Sequence, residues 1–489
     1  MPSAPVASLE GFDPWTSPRP LYSSLRILTE DAWRMLRLSV FCVLHFSIQH
    51  SHAYVHPWLS NPSWVTGPSC YPKKDSVSCH PAVAGPRMMT HRLVNGNGLY
   101  HSQARGRLSS VHQLGSISED TTKKWVEDDI VDCAIIGGGP AGLALAIALS
   151  ERGLHVKVFE AVTDIKERGA AVFLQTFGVS QLDKIKPGLA DSVIAAGRRV
   201  ECINLTRPCG ESIMRVDTKP MEDAVGYPFL GISRHNLQRA FLSHLDDDVI
   251  KLGCRLKELR SSARSSVKEL LFEGKANPVR ARSVIGADGL RSLVRKQVLN
   301  SEEKEEEGIR TWWALADLDV PPAPRGEFRM TYSTNQALYF GEVQEGLTMW
   351  SATSWSNTAI QQDSQPRVDR ALHELRDWPE EVLDMVKSTS SEKIIEVMVK
   401  DAPLQWFSWS RQPGVTLIGD AAHAMHPTLG MGITSALQDV VSLCRHIETS
   451  GTSVEEALRQ YEAERRIPAT MVQLGSRIAT GVLKSLLCA

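Results

Sequence analysis

The sequence is short of several things that would narrow its role at once. Nine cysteines are scattered over 489 residues with no C-x-x-C pair. That argues against a structural zinc site or a disulfide framework and for free buried thiols. Charge of one sign is also missing: 54 Lys and Arg stand against 56 Asp and Glu, a net charge of −2. Nothing therefore marks the chain as a nucleic-acid binder. The densest acidic run, residues 302–307, is broken by Lys304 and reads as a solvated loop. The apolar run at residues 36–48 falls short of the roughly 20 residues that a bilayer-spanning helix needs. A hydrophobic content of 42% and a charged content of 22% are those of a globular protein able to bury a sizeable core.

The first quarter differs from the rest. It is rich in Ser, His, Pro and Gly without sustained periodicity, and between residues 36 and 118 its only acid is Asp75. A basic, hydroxyl-rich, acid-poor stretch has the composition of an organelle transit peptide. Met35 precedes the 36–48 run, whose length suits a signal-peptide core, and small residues follow near Ala53. That two-part arrangement resembles the bipartite plastid presequences of algae. A disordered extension without an address is the alternative, and it leaves the protein cytoplasmic. Residues 1–125 are set aside from the fold on either reading.

The pattern sharpens from residue 129. Residues 130–136 form a short apolar run suited to a buried parallel strand. Gly137, Gly139 and Gly142 follow as G-x-G-x-x-G. Residues 143–150 continue as an Ala-rich helix closed by Gly153, and residues 155–159 read as a second strand ending at Glu160. Gly137 permits a tight turn, Gly139 lets the backbone approach a pyrophosphate, and Gly142 allows close helix–strand packing. The helix N-terminus offers N–H groups to phosphate, and Glu160 can accept hydrogen bonds from ribose hydroxyls while disfavouring a 2′-phosphate. This unit alone does not distinguish one dinucleotide from another.

Two later segments do. Residues 284–296, VIGADGLRSLVRK, hold a D-G pair at Asp288 and Gly289. Residues 415–440 hold a G-D pair at Gly419 and Asp420, followed by Pro427, Gly430 and Gly432, with a helix from Ile433. With the first fingerprint, over residues 128–475, these resemble the group A flavin-dependent monooxygenases of the para-hydroxybenzoate hydroxylase type. The resemblance implies an α/β fold, in which a Rossmann-like FAD-binding domain is interleaved with a mixed-sheet substrate domain. That domain would span residues 126–475, with substrate-sheet insertions near 200–230 and 310–400 and a C-terminal tail at 476–489.

The resemblance also implies roles. Asp420 would accept a hydrogen bond from the FAD ribityl chain, and Asp288 would support its pyrophosphate. Pro427, Gly430, Gly432 and Ile433 would bring backbone and a helix N-terminus to the flavin ring. Arg168 and Ala171, in the stretch RGAAV, and Arg234, in ISRHNLQRAFL, would also touch FAD. Two departures stand out: Met431 where the family usually has Gln, and Ala171 where Gly is commoner. Arg291 and Arg295 are candidates for phosphate or NADPH contact or, equally, members of a solvated helix face. NAD(P)H would act as a transient co-substrate, since no second nicotinamide domain is visible.

Alternating strands at 200–230 and 312–353 would roof the substrate, with Trp312, Trp313, Tyr332, Tyr339, Phe340 and Trp350 as candidate lining or as ordinary packing. His423 reads as structural, His426 is placed where it could face the substrate, and no catalytic acid or base is assigned. The expected partners are a small, aromatic substrate and O2, with no nucleic acid and membrane contact only through the termini. Epoxidation of an isoprenoid is the alternative activity, and a flavin-binding protein without catalysis is a third reading.

Overall fold

The computed structural model describes residues 65–66, 130–166, 170–261, 267–299, 309–333, 335–355, 366–400, 402–449 and 454–487. Apart from Val65–Thr66, the expected presequence lies outside the described residues, as do the acidic run at 302–307 and Arg168.

A largely parallel sheet carries the glycine fingerprint. Its central strand, Val131–Ile136, runs parallel to Val156–Phe159 on one side and to Val279–Gly286 on the other, and Val415–Leu417 joins Val279–Gly286, also in parallel. These strands are buried and mostly apolar toward their carboxyl ends, where both faces are covered, while Arg280 and Arg282 in the first half of Val279–Gly286 stay exposed. The fingerprint helix, Pro140–Ser150, is buried from Gly142 to Leu149 against the sheet and the helices Thr176–Ile185, Arg234–Leu242 and Gly432–Thr449. It starts three residues before the expected 143, with Pro140 in the first turn, where a missing N–H costs nothing.

Register decides what this sheet can do. Ile136 lies opposite both Phe159 and Gly286, and Gly286 lies opposite Leu417. Four strands therefore end level, and the chain leaves them at one edge as Gly137, Glu160, Ala287 and Ile418. Open α/β sheets bind ligands outside the carboxyl ends of their strands.

The second sheet is mixed and runs in the order Val65–Thr66, Ser212–Asp217, Cys202–Thr206, Glu327–Tyr332, Gln336–Gln344, Leu347–Ser354, Ile309–Asp317, Ile395–Val399. One face packs Trp312, Leu338, Phe340 and Trp350 against helices Arg367–Glu374 and Glu380–Lys387. The other face puts Leu315, Val343 and Met349 on Ala171 and Phe173. Those two residues belong to a small third sheet, Ala171–Leu174, Leu230–Ser233 and Arg198–Arg199, which links the larger ones.

The expected C-terminal tail at 476–489 is helical as far as residue 487. Val454–Leu487 is one helix that continues through Pro468. Gln473, Ser476 and Thr480 face inward and are hydrogen-bonded, which holds its second half against the protein. None of the described helices is long and apolar enough to cross a membrane.

A Cβ at Gly142 would lie 2.0 Å from the Gly137 carbonyl oxygen. Gly142→Ala is expected to lower unfolding free energy by about 1–3 kcal/mol through overpacking. Denaturant titration checks this, and an unchanged midpoint would remove the close-packing role from this glycine.

Candidate active site

The turn after Val131–Ile136 is shaped by contact as well as by flexibility. Gly137 has φ of 111°, and a Cβ there would meet the Ala287 carbonyl oxygen at 2.4 Å. The turn is thus pressed against the D-G segment, and the Ala287 N–H donates to Ile136 O at 2.8 Å. Gly139 caps the fingerprint helix with no side-chain bond, so the first N–H groups of that helix point outward. Glu160 accepts from the Gly138 N–H at 2.6 Å through one oxygen and from the Val162 N–H at 3.0 Å through the other. Each carboxylate oxygen retains a lone pair for a ribose hydroxyl.

Arg234 stands exposed at the start of its helix, behind the Ser233 cap. Its guanidinium lies 3.7 Å from where a Cβ on Gly139 would be. A cation is therefore held beside the helix N-terminus that would receive phosphate. Gln238, one turn further on, donates to Gly138 O at 3.0 Å and braces the same turn. Sequence reasoning passed over Gln238, and only its placement one helical turn after Arg234 could have pointed to it.

In the D-G segment the roles shift. The Asp288 carboxylate caps its own helix, accepting from Ser292 Oγ at 2.5 Å, Leu293 N–H at 2.8 Å and Val294 N–H at 3.2 Å. Burial nevertheless lifts its carboxyl above the ordinary range, against the pull of these bonds. Arg295 is neither on a solvated face nor offered to phosphate. It is 2% exposed and donates to the carbonyls of Ala421, at 2.8 Å, and of Leu290. Its guanidinium fastens the D-G segment to the G-D segment. Arg291 stays exposed.

At the G-D pair, Gly419 has φ of 56° and Asp420 projects exposed from the carboxyl end of Val415–Leu417. What fixes this turn is Asp439, a residue that the motif reading did not single out. Asp439 is fully buried and accepts from the Gly419 N–H at 2.9 Å, His423 Nε2 at 2.5 Å and Arg465 Nε at 2.9 Å. Burial alone would raise its pKa, but His423, Arg465 and the Gly419 N–H together hold it below the ordinary aspartate value. An ionised buried carboxylate needs such partners.

The loop that follows, Pro427–Leu429, ends at Gly430 with φ of 61°, and helix Gly432–Thr449 begins two residues later. Pro427 and Gly430 are exposed, whereas Met431 is buried and its carbonyl takes the helix's early hydrogen bond from Ser435. Gln175 Nε2 donates to Leu429 O at 3.2 Å, so the third sheet steadies this loop from the other side. Ile433 lies half-buried in the first turn.

The candidate aromatic lining divides by strand alternation. Trp312, Phe340 and Trp350 point into the helix-covered face, where Trp350 Nε1–H donates to Thr389 Oγ1 at 3.0 Å. Trp313, Tyr332 and Tyr339 belong to the opposite face, the one that meets Ala171 and Phe173, and Phe173 stacks on Phe328 at 3.8 Å. Tyr332 and Tyr339 pack edge to face at 5.8 Å with their hydroxyls hydrogen-bonded. Burial pushes Tyr339 up to about 12 and Tyr332 well above the ordinary tyrosine value, so both stay protonated near neutral pH, with Tyr332 donating to Tyr339.

These residues fit FAD. A tight glycine cradle, an uncapped helix N-terminus, a ribose acid, a neighbouring arginine and an exposed Asp420 all lie along one sheet edge. Gly137, Gly139, Gly142, Glu160, Arg234 and Asp420 stand at that edge, Ala171 lies against the second sheet, and the loop of Pro427 and Gly430 lies against Gln175 and the C-terminal helix.

Comparison with known proteins agrees with this geometry. Residues 130–474 match the family described as FAD binding domain. The chain is 31% identical to 3-amino-4-hydroxybenzoate 2-monooxygenase of Streptomyces cremeus, over 70% of this chain and 85% of that protein. It is 26% identical to the chloroplastic zeaxanthin epoxidase of rice, Oryza sativa subsp. japonica, over 71% of this chain and 54% of that one. Its fold is similar to that of Klebsiella pneumoniae HpxO, solved as a point variant complexed with FAD, with a TM-score of 0.66 and 22% identity, covering 72% of this chain and 90% of that one.

Removing the carboxylate of Asp439 would leave a buried arginine without its partner. Asp439→Ala is expected to cost about 3–5 kcal/mol, read by chemical unfolding. Because the folded pKa of Asp439 is depressed, its contribution is complete above the unfolded-state value of about 3.9 and fades as pH falls below it. Wild type should therefore lose more stability on acidification than the variant, and parallel pH curves would contradict this.

Proposed function

The chain belongs to the group A flavin-dependent monooxygenases, and from that premise we propose that it uses NAD(P)H and O2 to insert one oxygen atom into a small aromatic substrate. The enzyme is an FAD-dependent oxidoreductase. The observation that supports the substrate reading is the sheet face turned toward Ala171, where Trp313 and the Tyr332–Tyr339 pair, in which Tyr332 donates to Tyr339, offer an apolar surface with one uncommitted phenolic donor. Such a surface suits a flat ring bearing an oxygen or nitrogen acceptor.

Bound FAD supplies the redox chemistry, passing electrons from the nicotinamide to oxygen. The residues of this chain hold and shield it. The Gly137–Gly142 turn, with Arg234 beside it, would take the pyrophosphate, Glu160 the ribose and Asp420 the ribityl hydroxyls. The N-terminus of Gly432–Thr449 would place positive potential at one edge of the flavin ring, which favours the reduced, negatively charged state. The mixed sheet would cover the ring and exclude water from the reaction.

A second reading, epoxidation of an isoprenoid, is supported by the likeness to zeaxanthin epoxidase, a protein of which the chain spans 54%. An expected organelle address would favour it. Oxygen uptake and NADPH oxidation against phenolic acids and isoprenoids separate the two.

Asp420→Ala is expected to lower FAD affinity at least about tenfold, the worth of one hydrogen bond to a charged group. Fluorescence titration of the apoprotein measures this, and a mutant as yellow as wild type after purification would show that Asp420 does not hold the ribityl chain.

A further inference from the structure

The mixed sheet turns toward Ala171 a face whose register can be followed strand by strand. Trp313 lies opposite Ser351, Ser351 opposite Tyr339, and Tyr339 opposite Met330, so four side chains cross the sheet in one row. On one side of this row run Leu315, Met349, Gly341 and Phe328, which meet Ala171 and Phe173. A Cβ on Gly341 would come 3.2 Å from the Phe173 ring. On the other side run Thr311, Thr353, Ala337 and Tyr332. Adjacent rows are about 7 Å apart, two residues along a strand. The Trp313 row is therefore the first beyond the cover given by the third sheet, and Trp313, Tyr339 and Met330 are only half-buried there.

Two properties of this face define what it accepts. The first is charge: none of the three rows contains Asp, Glu, Lys, Arg or His. A carboxylate pressed against it would lose water and gain no cation, which is costly. The second is the direction of its protons. Tyr332 donates to Tyr339, so the Tyr339 oxygen accepts within the pair and its own proton is uncommitted. The indole N–H of Trp313 only donates, and among the described residues neither it nor the Ser351 hydroxyl has a protein partner. Neither group is sealed from solvent, in contrast to the indole nitrogens of Trp312 and Trp355. Three adjacent strands thus each offer a proton on an uncharged face, with the small Ser351 between two aromatic side chains.

We propose that Trp313, Ser351 and Tyr339 form a subsite that recognises an uncharged acceptor oxygen of the substrate, such as an amide or ketone carbonyl, and that the neutral face around them selects against aromatic carboxylates. This rests on the monooxygenase reading and narrows its substrate class. Trp313 and Tyr339 supply donors and ring surface, and Ser351, the smallest of the row, leaves room between them. Discrimination works through what is left unpaired. A substrate without the oxygen leaves the donors unmet, and a substrate with a carboxylate leaves its charge unmet.

The test uses FAD-loaded protein and matched sets of compounds on benzene, naphthalene and quinoline rings. Each set holds a phenol, its carboxylate and the primary carboxamide, which has the shape of the carboxylate without its charge. Binding is read from the change in the flavin spectrum, and turnover from substrate-dependent NADPH oxidation. In the set that binds best, the carboxamide should have a Kd at least about tenfold below that of the carboxylate. A carboxylate that binds as tightly as its carboxamide would overturn the selection against charge and leave the monooxygenase reading intact. Trp313→Phe and Tyr339→Phe keep a ring but lose the proton. Each should weaken the carboxamide about three- to tenfold and the bare phenol less than about twofold. Equal weakening of both compounds, or none in either variant, would remove the subsite. Met330→Arg, on the same row, should shift the preference toward the carboxylate. An unchanged preference in a Met330→Arg protein that retains FAD would show that the row does not meet the substrate. A wild type that neither binds nor oxidises any compound would instead overturn the aromatic reading, and the subsite with it.

Discussion

A carboxylate buried in protein is costly unless every lone pair is met, and Asp439 meets that demand by drawing three separate stretches of chain together. Its partners are the Gly419 N–H, the His423 imidazole and the Arg465 guanidinium. The first two belong to the G-D turn, and the third belongs to the C-terminal helix. Gly419 sits at positive φ where the strand gives way to the short helix Asp420–His423; its carbonyl accepts the first bonds of that helix, and Asp439 takes its N–H. Arg295 performs the matching task from the D-G side through backbone carbonyls. Together they bring the exposed Asp420 to the edge where the glycine turn and Glu160 also arrive.

The two large sheets divide the work. The parallel one supplies strand ends, and strand ends supply N–H groups, small residues and carboxylates at a single level. The mixed one supplies broad faces. Side chains alternate along its central strands, so the face that carries Trp312, Phe340 and Trp350 is consumed by packing against helices, and the opposite face meets Ala171 and Phe173. The small third sheet joins them, with Ala171 and Phe173 touching the roof and Ser233 starting the helix that carries Arg234. Nucleotide binding and substrate cover are thus coupled by one short ladder.

The C-terminal helix takes more part in the site than its distance along the chain suggests. Arg465, Gln473, Ser476 and Thr480 lie on its inner face, and each contacts the G-D segment or the helix after it. A helix that was merely the end of the fold would have no reason to bury four polar side chains. Buried polar groups are kept where they specify one arrangement of backbone, and here the arrangement specified is that of residues 424–430.

Local chemistry was legible from the residues alone. A tight turn needs glycine at Gly137, a phosphate cradle needs Gly139 and Gly142 before a helix, and a ribose acid must follow the second strand at Glu160. Those needs act over a few bonds, so they leave a spaced signature, and three such signatures pointed to FAD and to the fold. The tertiary structure decided the rest. That Arg295 turns inward, that Trp312, Phe340 and Trp350 pack against helices, and that Asp439, Gln238, Gln175 and the C-terminal polar residues brace the motif turns could not be read from spacing. Each depends on which segments the register of the sheets brings into contact, and hydrogen bonds between residues far apart in sequence leave no periodic trace in it.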